Sequence, residues 1–175
     1  VLITLSLYYL YRAVHYRFII PDRLGPSLFD KQIFYVAHLA LASPIIFFGP
    51  LQFSRRLRNC YPVIHRRMGQ IYVYGSIGAA LTAIYLGAIG DYQGSRAPIV
   101  IGGSLWLFFT VGAWRSAVHK RFEIHRQFMI RSYGMALVLV WLRIIGDMPG
   151  DTFFFYIDDL DVRDATQEWM SWVLP

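Results

Sequence analysis

The sequence predicts an all-α fold, a polytopic transmembrane helix bundle with four full spans and a partial span at each end, six in all. Three observations carry this expectation. Hydrophobic residues make up 56% of the 175-residue chain and charged residues only 16%, against about 25% charged in a soluble domain. The apolar residues gather in uncharged runs, and the cations gather between alternate runs. A single soluble core cannot absorb such an apolar excess, because surface area sets a floor on the polar residues needed. The composition argues against an ordinary soluble enzyme and excludes intrinsic disorder.

A bilayer core of about 30 Å takes ~20 apolar helical residues. Val1 to Val14 is apolar but short, a partial span. Gln32 to Ser54 and Met68 to Gly90 contain no Asp, Glu, Lys or Arg, and each is long enough to cross. Ala97 to Trp114 is shorter and uncharged, and Gln127 to Gly146 is apolar apart from Arg131 and Arg143. The last ten or so residues, ending in Trp169-Met170-Ser171-Trp172, form the second partial span by the same length criterion. These runs are about twice the length of a barrel strand and lack strict polar alternation, so they read as helices. Pro44 and Pro50 lie in the first full span, where a kink is expected in place of a break. Both chain ends fall inside apolar runs, so residues 1–175 are expected to be a single integral membrane domain, cut at both ends. Cys60 is the only cysteine, which leaves neither an intrachain disulfide nor a cysteine-based metal cluster.

The net charge of +6 is distributed asymmetrically. Arg55, Arg56, Arg58, Arg66 and Arg67 separate the first two full spans; Arg115, Lys120, Arg121, Arg126 and Arg131 gather around the start of the fourth. The opposite side holds the Asp91–Arg96 turn and the acids Asp147, Asp151, Asp158, Asp159, Asp161 and Asp164. The positive-inside rule then puts the basic loops 55–67 and 115–126 in the cytoplasm, the membrane being a bacterial inner membrane. Arg12, Arg17, Arg23 and Lys31 run against that assignment. Cations that flank spans suit anionic headgroups, so membrane lipids, not nucleic acid, are the expected partners.

The few polar residues in or beside the spans are the functional evidence. His38 lies six residues into the first full span and shares a helical face with Ile45, Gly49 and Gln52. His125, Met129, Ser132, Ala136, Leu139 and Arg143 share one face of the fourth, with His125 and Arg143 roughly 27 Å apart along the axis. Arg143 is costly inside a span and should meet an anionic group or a cavity; the plainer reading is a snorkelling side chain paired with Asp147. His65 and His125 each open a span and each precede an arginine, a weak internal repeat with a period of sixty residues. Two such imidazoles can ligate a haem iron, although a histidine at each span entrance also serves as a headgroup-level anchor. Gly75, Ala79, Ala83 and Gly87 recur every four residues, a pattern that lets helices approach closely. No phosphate-binding loop, His-Glu-x-x-His helix or nucleophile elbow is present, and no catalytic residue or metal site is assigned.

Several runs together resemble the bacterial and fungal membrane-protein family called domain of unknown function 2306. They are Ala37-His38, Gly49-Pro50-Leu51-Gln52-Phe53 followed by Arg58, and His65-Arg66-Arg67-Met68-Gly69-Gln70-Ile71-Tyr72. Leu105-Trp106, His125-Arg126-Gln127-Phe128-Met129-Ile130-Arg131-Ser132-Tyr133, Leu142-Arg143 and the terminal Trp-Met-Ser-Trp continue the match. Gln70 and Phe128 stand where the family usually has Arg and Trp. The resemblance implies a multi-helix membrane protein and no established activity.

Three functions follow as expectations. The first is a non-catalytic accessory or scaffold subunit of a larger membrane complex, with other membrane subunits as partners. The second is an electron-transfer or quinone-associated protein, with haem b bound by His65 and His125 or held near His38 and Arg143. The third is a small transporter or lipid-binding protein using a pocket at Arg143 and His38.

Overall fold

The computed structural model describes residues 28–89 and 93–138, together with 8, 11, 140, 141, 156–159, 162, 163, 165, 166, 169 and 170. Its helices are α1 (Leu28–Gln52), α2 (Arg55–Cys60), α3 (Pro62–Ala88), α4 (Gln93–Val118) and α5 (Phe122–Ala136). No strand occurs among the described residues. Three helical stretches are long and apolar enough to cross a membrane: Ile33–Gln52, Pro62–Ala88 and Arg96–Val118. They correspond to the first three expected full spans. The fourth begins as α5, passes a turn at Leu137 and is helical again at Val138, Val140 and Trp141. The rest of that run, including Arg143, lies outside the described residues, as do the first partial span apart from Tyr8 and Tyr11 and most of the acidic outer loop.

The helices extend further into the basic segments than uncharged length alone suggests. Arginine is a good helix former, so its charge limits how deep a segment sits in lipid without ending the helix. The stretch 55–67 is therefore mostly helical. Ser54 caps α2, its hydroxyl accepting from the Leu57 amide at 3.4 Å. Pro62 takes the first position of α3, where its missing N–H would have had no intrahelical partner. On α1, Pro44 and Pro50 sit within one continuous helix, as tolerated in membrane helices.

By its internal contacts the chain divides into two compact units, Val1–Thr82 and Ala83–Pro175. In the first, α1 and α3 run antiparallel. His38 meets Ala79 and Thr82, Leu41 and Ile45 lie against Gly78 and Gly75, and Gln52 reaches Gly69. Partner numbers on α3 fall as those on α1 rise, so one face of each helix is engaged over about 20 Å. The approach is tight: a Cβ on Gly78 would stand 2.8 Å from Leu41 Cδ1, and one on Gly75 3.1 Å from the Leu41 carbonyl oxygen. The small residues of α3 thus serve packing, and Ala79 is fully buried.

In the second unit, the start of α4 packs on the end of α3, where a Cβ on Gly87 would lie 2.6 Å from Ile99 Cγ2. A tight turn joins α4 to α5. The Arg121 amide donates to the Ser116 carbonyl at 2.9 Å and the Lys120 amide to the Ala117 carbonyl at 3.0 Å. This is the paired 6→1 and 5→2 bonding of a Schellman turn, whose pivot residue is left-handed. Lys120 fills that position at φ 58°, where glycine is usual. Outside these contacts the helices present apolar side chains, among them Ile71, Leu81 and Tyr85 on α3 and Ile101, Leu105 and Phe108 on α4. Such an exposed surface is at home in lipid, where the tails are as apolar as leucine.

Candidate functional site

Each expected histidine in the described region sits where a helix face meets another helix or where a helix begins. On α1, the face carrying His38, Ile45, Gly49 and Gln52 is turned inward: Ile45, Gly49 and Gln52 are buried and His38 is half-buried. The His38 Nδ1–H donates to the Ala79 carbonyl at 2.9 Å and lies 3.2 Å from the Thr82 hydroxyl oxygen. Thr82 in turn shares its one hydroxyl proton between the carbonyls of Gly78 and Ala79, at 3.0 and 2.9 Å. The imidazole thereby ties α1 to α3 through backbone that the helix has already ordered.

The α4–α5 pair repeats this device. His125 donates its Nδ1–H to the Ala113 carbonyl at 2.9 Å. Three and seven residues further along α5 come Phe128, over Gly112, and Ser132, 2.8 Å from the Thr110 hydroxyl. Thr110 donates to the Trp106 carbonyl at 2.8 Å; with a single proton to give, its oxygen accepts from Ser132. Ser132 and Thr110 are both fully buried. The expected stripe of α5 therefore faces α4 from His125 to Ser132.

The His65 and His125 repeat has a structural counterpart. Each is the fourth residue of its helix, after Pro62 and Phe122. Each donates its amide to the carbonyl of the residue just before that helix, His65 to Tyr61 at 3.0 Å and His125 to Arg121 at 2.9 Å. Both arginines that follow, Arg66 and Arg126, are exposed. The two histidines belong to different units, His65 to the first and His125 to the second. Arg143 lies outside the described residues, so its pairing with His38 or Asp147 finds no geometry here.

Several polar positions escaped the reading from sequence. Thr82 and Thr110 each sit in a long apolar run where a hydroxyl looks incidental, and only the partner helix reveals their use. Gln52 Nε2, Ser76 Oγ and Trp106 Nε1 are buried without a hydrogen-bond partner among the described residues. No group of three or more His, Cys, Asp or Glu able to hold a metal ion occurs among the described residues.

The helices and their inward polar ties define an integral membrane protein of the helical class, in which histidine and hydroxyl groups join neighbouring helices. The chain belongs to the family described as predicted membrane protein, domain of unknown function 2306, whose model matches residues 35–174. No curated protein and no solved structure matches it. The family resemblance of the His-Arg runs is thereby borne out, and with it the location in a membrane.

Proposed function

We propose that this protein is a non-catalytic membrane subunit, built to hold a stable set of helices against other membrane proteins. The observation that carries this reading is the use of its in-span polar groups: His38, His125, Thr110 and Ser132 all join one helix to another. Intramembrane polar groups that mark a substrate path usually face a cavity; these face backbone and each other. The reading includes four full spans with a partial span at each end, basic loops 55–67 and 115–126 on the cytoplasmic side, and a bacterial inner membrane as the location. Other membrane subunits and lipids are the partners it implies. Native mass spectrometry after mild-detergent extraction tests it: a defined complex of fixed stoichiometry supports the reading, and a lone monomer under the same conditions overturns it.

A second reading draws on the geometry of His38 and His125, each of which donates through Nδ1 to a backbone carbonyl. An imidazole that donates through Nδ1 and is neutral carries its lone pair on Nε2, the arrangement that orients histidine ligands toward metals. Haem b is then the cofactor to test, with His65 and His125 or with His38 and Arg143 as its holders. The visible spectrum of haem-replete protein decides. No Soret band removes this reading; a band lost in His65→Ala and in His125→Ala replaces the subunit reading with an electron-transfer one.

A further inference from the structure

A groove of about 580 Å³ runs along the surface of the first unit, between α1 and α3. Its walls are apolar, from Leu41 and Pro44 on one side to Ile71 and Tyr74 on the other, with Gly75 between them. One end is different: Arg67 and Gln70 line it, both exposed. Arg67, Ile71 and Tyr74 stand at i, i+4 and i+7, a single face of α3. From Arg67 to Gly75 the groove extends roughly 12 Å along the helix axis.

The depth of Arg67 follows from length. The 27 residues of α3 rise about 40 Å, about 10 Å more than a bilayer core. The excess places the first turns of α3, with Arg66 and Arg67, at headgroup level, and the groove descends from there into the hydrocarbon. Charge points the same way. Between Asp30 and Asp91 the chain has no acidic residue, yet it carries Arg55, Arg56, Arg58, Arg66 and Arg67, all of them exposed. No carboxylate of that stretch is available to pair with them, which leaves them open to an anionic ligand.

We propose that this groove is a binding site for one anionic phospholipid, with Arg67 taking the phosphate, Gln70 beside it, and the apolar walls holding an acyl chain. The amphiphile matches the groove in both parts: a cation at headgroup level, then an apolar channel leading inward. A free phosphate would meet only Arg67 and Gln70, and an acidic protein segment would have no use for the walls. The site goes beyond the subunit reading and does not depend on it.

The test is a titration of the full chain, in mild detergent, with dioleoyl phosphatidylglycerol or dioleoyl phosphatidylcholine, followed by native mass spectrometry. One phosphatidylglycerol per chain is expected, held more tightly than phosphatidylcholine. Arg67→Gln should weaken it about five-fold, the effect of one cation near an anionic surface. Ala40 is exposed and borders the groove, so Ala40→Trp should obstruct the channel and weaken the lipid as well. Arg66→Gln, equally exposed but on another face, should leave the affinity within about two-fold. Equal losses in Arg66→Gln and Arg67→Gln would reduce the effect to general surface attraction and overturn the site. So would wild-type binding by Ala40→Trp, indifference to headgroup charge, or complete displacement by millimolar inorganic phosphate.

Discussion

Replacing Gly112 with alanine should loosen the α4–α5 pair, whereas the same replacement at Gly134 should not. A Cβ at position 112 would stand 2.9, 3.0 and 3.1 Å from Cε1, Cδ1 and Cζ of Phe128. Carbon atoms prefer about 3.5–4.0 Å, so the ring must retreat by roughly 0.6–1 Å. Its centroid lies 6.0 Å from that of Phe108 and 6.3 Å from that of Phe109, so a retreat disturbs both ring contacts. Overpacking of this kind costs about 1–3 kcal/mol, while alanine gains about 0.5–1 kcal/mol over glycine in a helix interior. The net expectation for Gly112→Ala is a loss of about 1 kcal/mol. At Gly134 a Cβ meets nothing within 4 Å, so only the helix gain of about 0.5–1 kcal/mol remains. Denaturant unfolding in mixed micelles, followed by circular dichroism, measures both. Phe128→Leu in the Gly112→Ala background should recover much of the loss, with a coupling of about 0.5 kcal/mol or more. If the two alanine variants shift stability alike, or the double variant is simply additive, the close approach of Phe128 to Gly112 is wrong.

Other substitutions probe the remaining contacts by the same assay. His38→Ala removes the donor to the Ala79 carbonyl and should cost about 1 kcal/mol, within the range of interhelical bonds in membranes; no change would show that the imidazole does not tie α1 to α3. Thr110→Ala and Ser132→Ala should each destabilise, and the double variant should lose less than their sum, as for groups that share one bond. Strict additivity would refute that bond. Lys120→Gly should stabilise by about 1 kcal/mol, since a non-glycine residue pays roughly 1–2 kcal/mol in the left-handed region; a loss of stability would mean the lysine side chain contributes more than its backbone costs.

The spans were legible because lipid imposes a length and a composition on any helix that crosses it. That constraint located α1, α3 and α4 to within several residues, and it failed at their basic ends, where Arg55–Arg67 stays helical in spite of its charge. The inward face of α5 was also legible: the 100° periodicity put His125, Met129 and Ser132 together, and all three are turned inward. What periodicity does not carry is the identity of a partner. Ala79 and Ala113 contribute only a carbonyl oxygen to the histidines, and a carbonyl is present at every residue. The groove was equally invisible, because Leu41, Pro44, Ile71 and Tyr74 read as ordinary lipid-facing or packing residues until their spacing across two helices is known.

The antiparallel pairings also bear on how the chain enters a membrane. The bonds of His125 and of Ser132 bridge 12 and 22 positions of sequence, and both close within one pair of consecutive helices. The same holds for His38, whose partners lie 41 and 44 positions away on the next long helix. A solitary α1 in hydrocarbon would leave the His38 Nδ1–H without the Ala79 carbonyl, at several kcal/mol for an unsatisfied group, whereas Thr82 and Thr110 already bond carbonyls of their own helices. Paired with α3 as a hairpin, α1 enters lipid with that imidazole already bonded.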